Sequence, residues 1–189
     1  MITIHQVTQG TDEWHELRAG LYTGSNAHKL LDHSAKFKII NGEVTAYALG
    51  EATSFKGNFY TKRGHILEEE AIELYDQIKK VKVERPGFVT NSNYKTCGYS
   101  PDGIRPDRTI ECKAFKEDSH MKIYNGDIPI KVLAQCHFGM LICGKKLCDL
   151  IIYNPDLDAK YAFKVIPIRY NPKIAANFRR ILLPDKAAV

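Results

Sequence analysis

The longest regular pattern in the chain is helical. From Asn58 to Lys79, the residues Gly64, Leu67, Ala71, Leu74, Tyr75 and Ile78 recur at three- and four-residue steps and form one inward stripe. At about 100° per residue, Glu68 falls inside that apolar face, between Tyr75 and Ile72, while Glu69 and Glu73 point to solvent. A second helix is expected from Pro129, a residue suited to a first turn, to Ile142, with Gly144 as its stop. Its apolar face is Ile130, Leu133, Ala134, His137, Met140 and Leu141; Gln135 lies on the adjacent stripe, where it can be presented to a site beside the sheet. A third helix, entered by Pro172, covers residues 171–183. Shorter helices are expected over 116–124 and after Thr11, which caps a helix through Ala19 with Asp12 and Glu13 in its first turn and Gly20 as its stop. Another starts near Thr23 to Asn26 and runs to Leu31.

Strand-like alternation marks residues 147–153 and 161–168, with Asn154-Pro155-Asp156 and Asp158 in the turn between them. Residues 81–90 read as a strand kinked at Pro86-Gly87, and residues 94–115 as a β-hairpin. Residues 33–55 carry little periodicity and read as a variable loop with one short helix around 44–49. The order is helices, a central run of strands, a crossover helix, two strands and a terminal helix. It predicts an α/β fold with a mixed central β-sheet flanked by helices. A chain of 189 residues makes this a single domain, 1–189.

The chemistry concentrates in the hairpin. Ser100-Pro101-Asp102-Gly103 is turn chemistry that holds an acid at a strand end, and Thr109-Ile110-Glu111-Cys112-Lys113 returns from it. Alternation puts Ile110, Cys112 and Ala114 on one face, and Glu111 and Lys113 on the other. Two carboxylates and a lysine so placed suit metal-dependent phosphodiester cleavage. Asp102 and Glu111 would hold Mg²⁺, a hard cation that keeps waters, and Lys113 would orient or deprotonate the attacking water and offset phosphate charge. The same pattern also fits an exposed strand face with a solvated Glu–Lys pair. Asp107, in the turn, competes with Asp102 as a ligand. Glu68 on the packed side of its helix needs a partner or a metal; an ion pair with Arg63 or Lys79 is the plainer alternative. Arg18 and Ser25, across the Gly20 bend, would face one anion at a helix N-terminus, or be a surface arginine and an ordinary cap.

Composition narrows the partners only slightly. The net charge of +5 is compatible with an anionic partner. Five cysteines without a CxxC argue for reduced thiols and against a zinc or iron–sulfur site. The longest apolar run, 147–153, contains Asp149 and is too short to span a bilayer, and the N-terminus lacks a secretory pattern. A cytoplasmic location is expected.

Taken together, Trp14-x3-Arg18-x6-Ser25, Gly64-x3-Glu68-x2-Ala71, Ser100-Pro101-Asp102-Gly103, Ile110-Glu111-Cys112-Lys113 and Gln135 stand in the order found in lambda exonuclease-like, YqaJ-type viral recombination nucleases of the PD-(D/E)xK superfamily. The chain resembles that family from about Gly10 to Asp156. The resemblance implies a restriction-endonuclease-like core and a Mg²⁺-dependent 5′→3′ exonuclease, for which Mn²⁺ substitutes, digesting one strand of linear duplex DNA to leave a 3′ single strand. It also implies partnership with a single-strand annealing protein and a trimer, the form of the family's best-known member. By position it makes Asp102, Glu111 and the Cys112 carbonyl the metal ligands, with Glu68 on the same site, Lys113 the catalytic lysine and Gln135 the active-site glutamine. Arg18 and Ser25 become the 5′-phosphate pocket. A departure is Ala114-Phe115 after Lys113, where the family often has a small residue or cysteine and then proline. Two alternatives stay open: an endonuclease on the same scaffold, and a non-catalytic DNA- or partner-binding module.

Overall fold

The computed structural model describes residues 1–31 and 59–182; the loop and short helix expected within 33–55 lie outside them. In chain order the elements are β1 (Ile2–His5), α1 (Asp12–Arg18), β2 (Tyr22–Thr23), a 3-10 helix (Gly24–Leu31), α2 (Phe59–Lys79), β3 (Phe88–Asn91), β4 (Cys97–Tyr99), β5 (Gly103–Ile104), β6 (Arg108–Lys113), α3 (Glu117–Tyr124), α4 (Ile130–Ile142), β7 (Leu147–Tyr153), α5 (Ala159–Ala162), β8 (Phe163–Arg169) and α6 (Pro172–Leu182). The fold is α/β with mixed sheets and flanking helices, as the pattern predicts. The strands divide into two four-stranded sheets, β1-β3-β4-β2 and β5-β6-β7-β8. In the second, β6 and β7 run parallel, joined by the α3–α4 crossover, while β5 and β8 pair antiparallel on either side.

Several expectations change. The segment 94–115 is not one hairpin: β4 pairs with β3 and β2, and only β5 turns back onto β6. The chain therefore leaves one sheet at Tyr99 and enters the other at Gly103, with Ser100-Pro101-Asp102 as the link; Pro101 has no N–H to continue a ladder. The strand expected over 81–90 begins only at Phe88, because Pro86 interrupts it, and Glu84 keeps a single bridge to Ile104. The helix expected from about Thr23 is a 3-10 helix. Along α2, Ile72 is buried and Ile78 is 54% exposed. Tyr75 already meets Arg105 and Asp149 at the end of the sheet, so Ile78, one turn on, has passed it. Ile130, at the first turn of α4, is also exposed.

The second sheet is covered on both faces. Ala71, Ile72 and Tyr75 of α2 pack with Val83 on Ile110, Cys112 and Ile151. Val132, Cys136 and Met140 of α4 pack on Cys148, Leu150 and Ile152. The opposite side of α4, with Ala134, Phe138 and Leu141, joins Tyr99, Val89, Leu30 and Phe178 in a core beneath the first sheet. So α4 lies between the sheets, and β6 reads as a buried strand because a helix covers each of its faces. No described helix is long and apolar enough to cross a membrane.

A buried polar group ties α2 to the second sheet. Asp149 on β7 accepts from Arg108 at 2.9 and 3.1 Å and from the Tyr75 hydroxyl at 2.6 Å, and that hydroxyl accepts from Arg105 at 3.0 Å. Burial and the Asp149 carboxylate push the Tyr75 phenol up to about 12, so it stays a donor. Removing one member of such a group leaves the others desolvated and unpaired. Asp149→Ala should therefore destabilise the fold by about 3–5 kcal/mol, read from urea unfolding curves of the two proteins.

Candidate active site

β5 is only two residues long, so it pairs with the first half of β6 and leaves the second half as an open edge. Asp102, in the link between the sheets, closes that edge: its Oδ2 accepts from the Cys112 N–H at 2.6 Å. A strand residue directs its N–H and C=O to the same side, so the Cys112 carbonyl faces the same opening. The β5–β6 register, with Gly103 opposite Ile110, carries the preceding Asp102 along the strand edge to Cys112.

Glu111 and Lys113 share the β6 face that α4 covers, and Glu111 has no exposed surface. An exposed strand face carrying a solvated pair is thereby excluded. Its Oε1 accepts from the Lys113 ammonium and from Gln135 Nε2 at 2.5 Å, and its Oε2 from the Tyr99 hydroxyl. Gln135 thus reaches from α4 into the site, as its stripe predicts. Tyr99 was not legible as a site residue: a buried tyrosine needs a partner for its hydroxyl, but only the fold says which. Its ring lies where a Cβ added at Gly24 would come within 2.7 Å of it, and one at Gly139 within 2.5 Å. Two glycines, one on the 3-10 helix and one on α4, make the slot that aims the hydroxyl.

Glu68 sits on α2 with its side chain 23% exposed. Its partner is Arg85, 3.7 Å away, and neither Arg63, which pairs with Asp156 at 2.5 Å, nor Lys79. Arg85 also pairs with Glu69. Burial raises the pKa of Glu68, and the Glu111 charge adds to the rise. Asp102 is pushed well up by burial, then by the charges of Glu111 and Glu68. Burial pulls the Lys113 ammonium down, but the Glu111 and Asp102 carboxylates outweigh it and hold its pKa above the ordinary lysine value. Asp107 is on the surface, paired with Arg108, and is removed as a competing ligand.

Arg18 stacks on Trp14, its guanidinium carbon 4.0 Å from the ring centroid, and donates to the Ser100 hydroxyl at 2.9 Å; Trp14 Nε1 donates to the same hydroxyl at 3.1 Å. Ser100 lies two residues before Asp102, so Arg18 is anchored to the link that carries the carboxylate. Ser25 is exposed and follows Gly24, whose lack of a side chain leaves room for the Tyr99 ring. Arg18 is thus joined to the chain two residues before Asp102, and Ser25 lies in the first turn of a 3-10 helix rather than an α-helix.

Two carboxylates and a backbone carbonyl at an open strand edge fit a small hard dication that retains waters. Among the described residues, the side chains as they lie form no ready-made cage of three or more ligating groups. Asp102 and Glu68 are nonetheless pushed toward protonation by burial and by the neighbouring Glu111 charge, a conflict that a divalent cation would relieve.

A carboxyl whose pKa is raised by folding stabilises the protein below its unfolded value, and that contribution is lost as pH rises through the folded value. In EDTA, thermal stability should fall from weakly acidic to neutral pH on account of Asp102 and Glu68. Asp102→Asn should flatten that fall and raise Tm at neutral pH, while Mg²⁺ should raise Tm of the parent and leave the variant unmoved. Differential scanning calorimetry across pH, with and without metal, checks both outcomes.

The fold has solved counterparts. The chain superposes on LHK-Exo in complex with dAMP with a TM-score of 0.81 at 23% identity, over 91% of this chain and 89% of that one. The alkaline exonuclease LHK-Exo from Laribacter hongkongensis gives 0.80 at 22% identity, over 91% and 89%. A phage related exonuclease from Haemophilus somnus gives 0.65 at 14% identity, over 89% and 92%. No curated protein sequence matches the chain significantly. Residues 13–146 match the YqaJ-like viral recombinase domain, a stretch that contains Trp14, Arg18, Ser25, Glu68, Asp102, Glu111, Lys113 and Gln135, and the chain belongs to that family.

Proposed function

We propose that this protein is a Mg²⁺-dependent 5′→3′ exodeoxyribonuclease that digests one strand of linear duplex DNA and leaves a 3′ single strand for recombination. The observation that carries the reading is the fully buried Glu111, held on one oxygen by Lys113 and Gln135, beside Asp102 at the open edge of β6. Membership of a recombinase domain family and a fold shared with exonucleases support it. Asp102, Glu111 and the Cys112 carbonyl would hold the ion, with Glu68 acting through water. Bound there, the ion supplies Lewis acidity at the scissile phosphate. Lys113 is an ammonium in this arrangement and places positive charge where negative charge grows in the transition state. Gln135 orients Glu111 and offers a second amide hydrogen to a water or phosphate oxygen. Arg18 and Ser25 would take the 5′-phosphate, which sets the register of the strand. A single-strand annealing protein as partner and a homotrimer belong to the same proposal, as does action in the cytoplasm.

Lys113→Ala should lower turnover by about two orders of magnitude or more, and Lys113→Arg should not restore it, because a planar guanidinium cannot sit where the ammonium does. Asp102→Ala should abolish cleavage and keep DNA binding. Glu68→Gln should impair cleavage while Glu69→Gln and Glu70→Gln stay near the parent, since Glu69 serves Arg85 and Glu70 the Tyr153 hydroxyl. Gel assays on linear and closed circular duplex with Mg²⁺ check the set. Loss of linear DNA alone supports an exonuclease, cutting of both indicates an endonuclease, and a shift without degradation indicates a binding module.

The end of the strand gives a separate expectation. Duplex carrying a 5′-phosphate should be digested faster than its 5′-hydroxyl counterpart, and Arg18→Ala should shrink that preference without changing metal affinity. Initial rates on matched substrates decide it; equal rates for the parent would remove Arg18 and Ser25 from the site.

A further inference from the structure

We propose that Tyr99 is a positioning residue for the metal site: its hydroxyl fixes the Glu111 carboxylate in the orientation that receives the divalent ion. The inference rests on the nuclease reading above, but on a residue that reading does not use. Tyr99 belongs to β4 in the first sheet and Glu111 to β6 in the second, so their hydrogen bond crosses between the sheets. The two Glu111 oxygens are secured separately, Oε2 by Tyr99 and Oε1 by Lys113 and Gln135. A carboxylate oxygen accepts in two directions, so the Tyr99 bond leaves Oε2 with room for a cation. Without that bond the carboxylate is free to turn toward Lys113, and a tighter ion pair competes with the metal.

The tyrosine is itself held in place. Its ring fits between Gly24 and Gly139, where a methyl on either glycine would collide with it. Against the Glu111 carboxylate the phenol O–H is the donor. Hydrogen bonds from outside the ligand shell orient metal-binding carboxylates, and losing one typically costs about 10- to 100-fold in metal affinity or activity. A phenylalanine fills the same slot, so Tyr99→Phe removes the hydroxyl and leaves the packing.

The experiment is calorimetric titration of Mn²⁺ and of Ca²⁺ into the parent and Tyr99→Phe, with melting curves in EDTA and Mg²⁺ activation curves for cleavage. Tyr99→Phe should stay cooperatively folded in EDTA with a lowered Tm, bind both ions about 10- to 100-fold more weakly, and need correspondingly more Mg²⁺ for half-maximal rate. Gly139→Ala, which pushes the ring aside, should move metal affinity in the same direction. Parent-like metal affinity in Tyr99→Phe overturns the proposal, as does a metal defect that appears only with collapse of the fold in EDTA. A parent that binds no ion refutes the metal-nuclease reading and this inference with it. A parent that binds, beside an unchanged Tyr99→Phe, refutes the role of Tyr99 alone.

Discussion

Glu111 has no exposed surface, and a carboxylate so placed costs several kcal/mol unless its charge and its lone pairs are met. Much of the surrounding architecture answers that requirement. Lys113 supplies the opposite charge from the same face of β6, Gln135 an amide from α4, and Tyr99 a hydroxyl from the other sheet. Gly24 and Gly139 leave the space that lets Tyr99 come so close. Three separate parts of the chain thus converge on one side chain, which makes the position of α4 between the sheets a condition for the site as well as for the core.

The change of sheet at Ser100-Pro101-Asp102 does the complementary work. A long β5 would pair with the whole of β6 and occupy its N–H and C=O groups. With β5 reduced to two residues, the Cys112 N–H goes to Asp102, and the acid is drawn beside the strand that carries Glu111 and Lys113. Ser100, in the same link, receives Arg18 and Trp14. The short link therefore couples the carboxylate edge to the arginine through three consecutive residues. Irregular backbone between two regular sheets is where functional groups can be placed without disturbing a ladder.

The acids around this edge work against stability. Asp102 and Glu68 are both pushed toward protonation by burial and by neighbouring negative charge. Arg85 answers Glu68 only at 3.7 Å and shares itself with Glu69, so the conflict is not resolved by protein cations alone. Local conflict concentrated in one place while the rest of the chain obeys its own patterning is the mark of a working site. The Asp149–Arg108–Tyr75 group at the far end of α2 is the contrast, because its members satisfy one another.

What the sequence determined by itself follows from period and local chemistry. Alternation placed Glu111 and Lys113 on one face of β6, the helical stripe turned Gln135 toward the sheet, and Thr11 and Gly20 bounded α1. These depend on neighbours a few residues apart, which a one-dimensional reading contains. The 147–153 strand was legible for the same reason. The division into two sheets, the shortening of β5 and the loss of strand before Phe88 were not, because pairing partners are chosen by long-range packing. Nor did the stripe of α2 show that Ile78 outruns the sheet or that Arg85 partners Glu68. Tyr99 is the clearest case: its sequence neighbours mark a turn, and only the tertiary structure, by setting two glycines against its ring, carries its hydroxyl to a carboxylate twelve residues away.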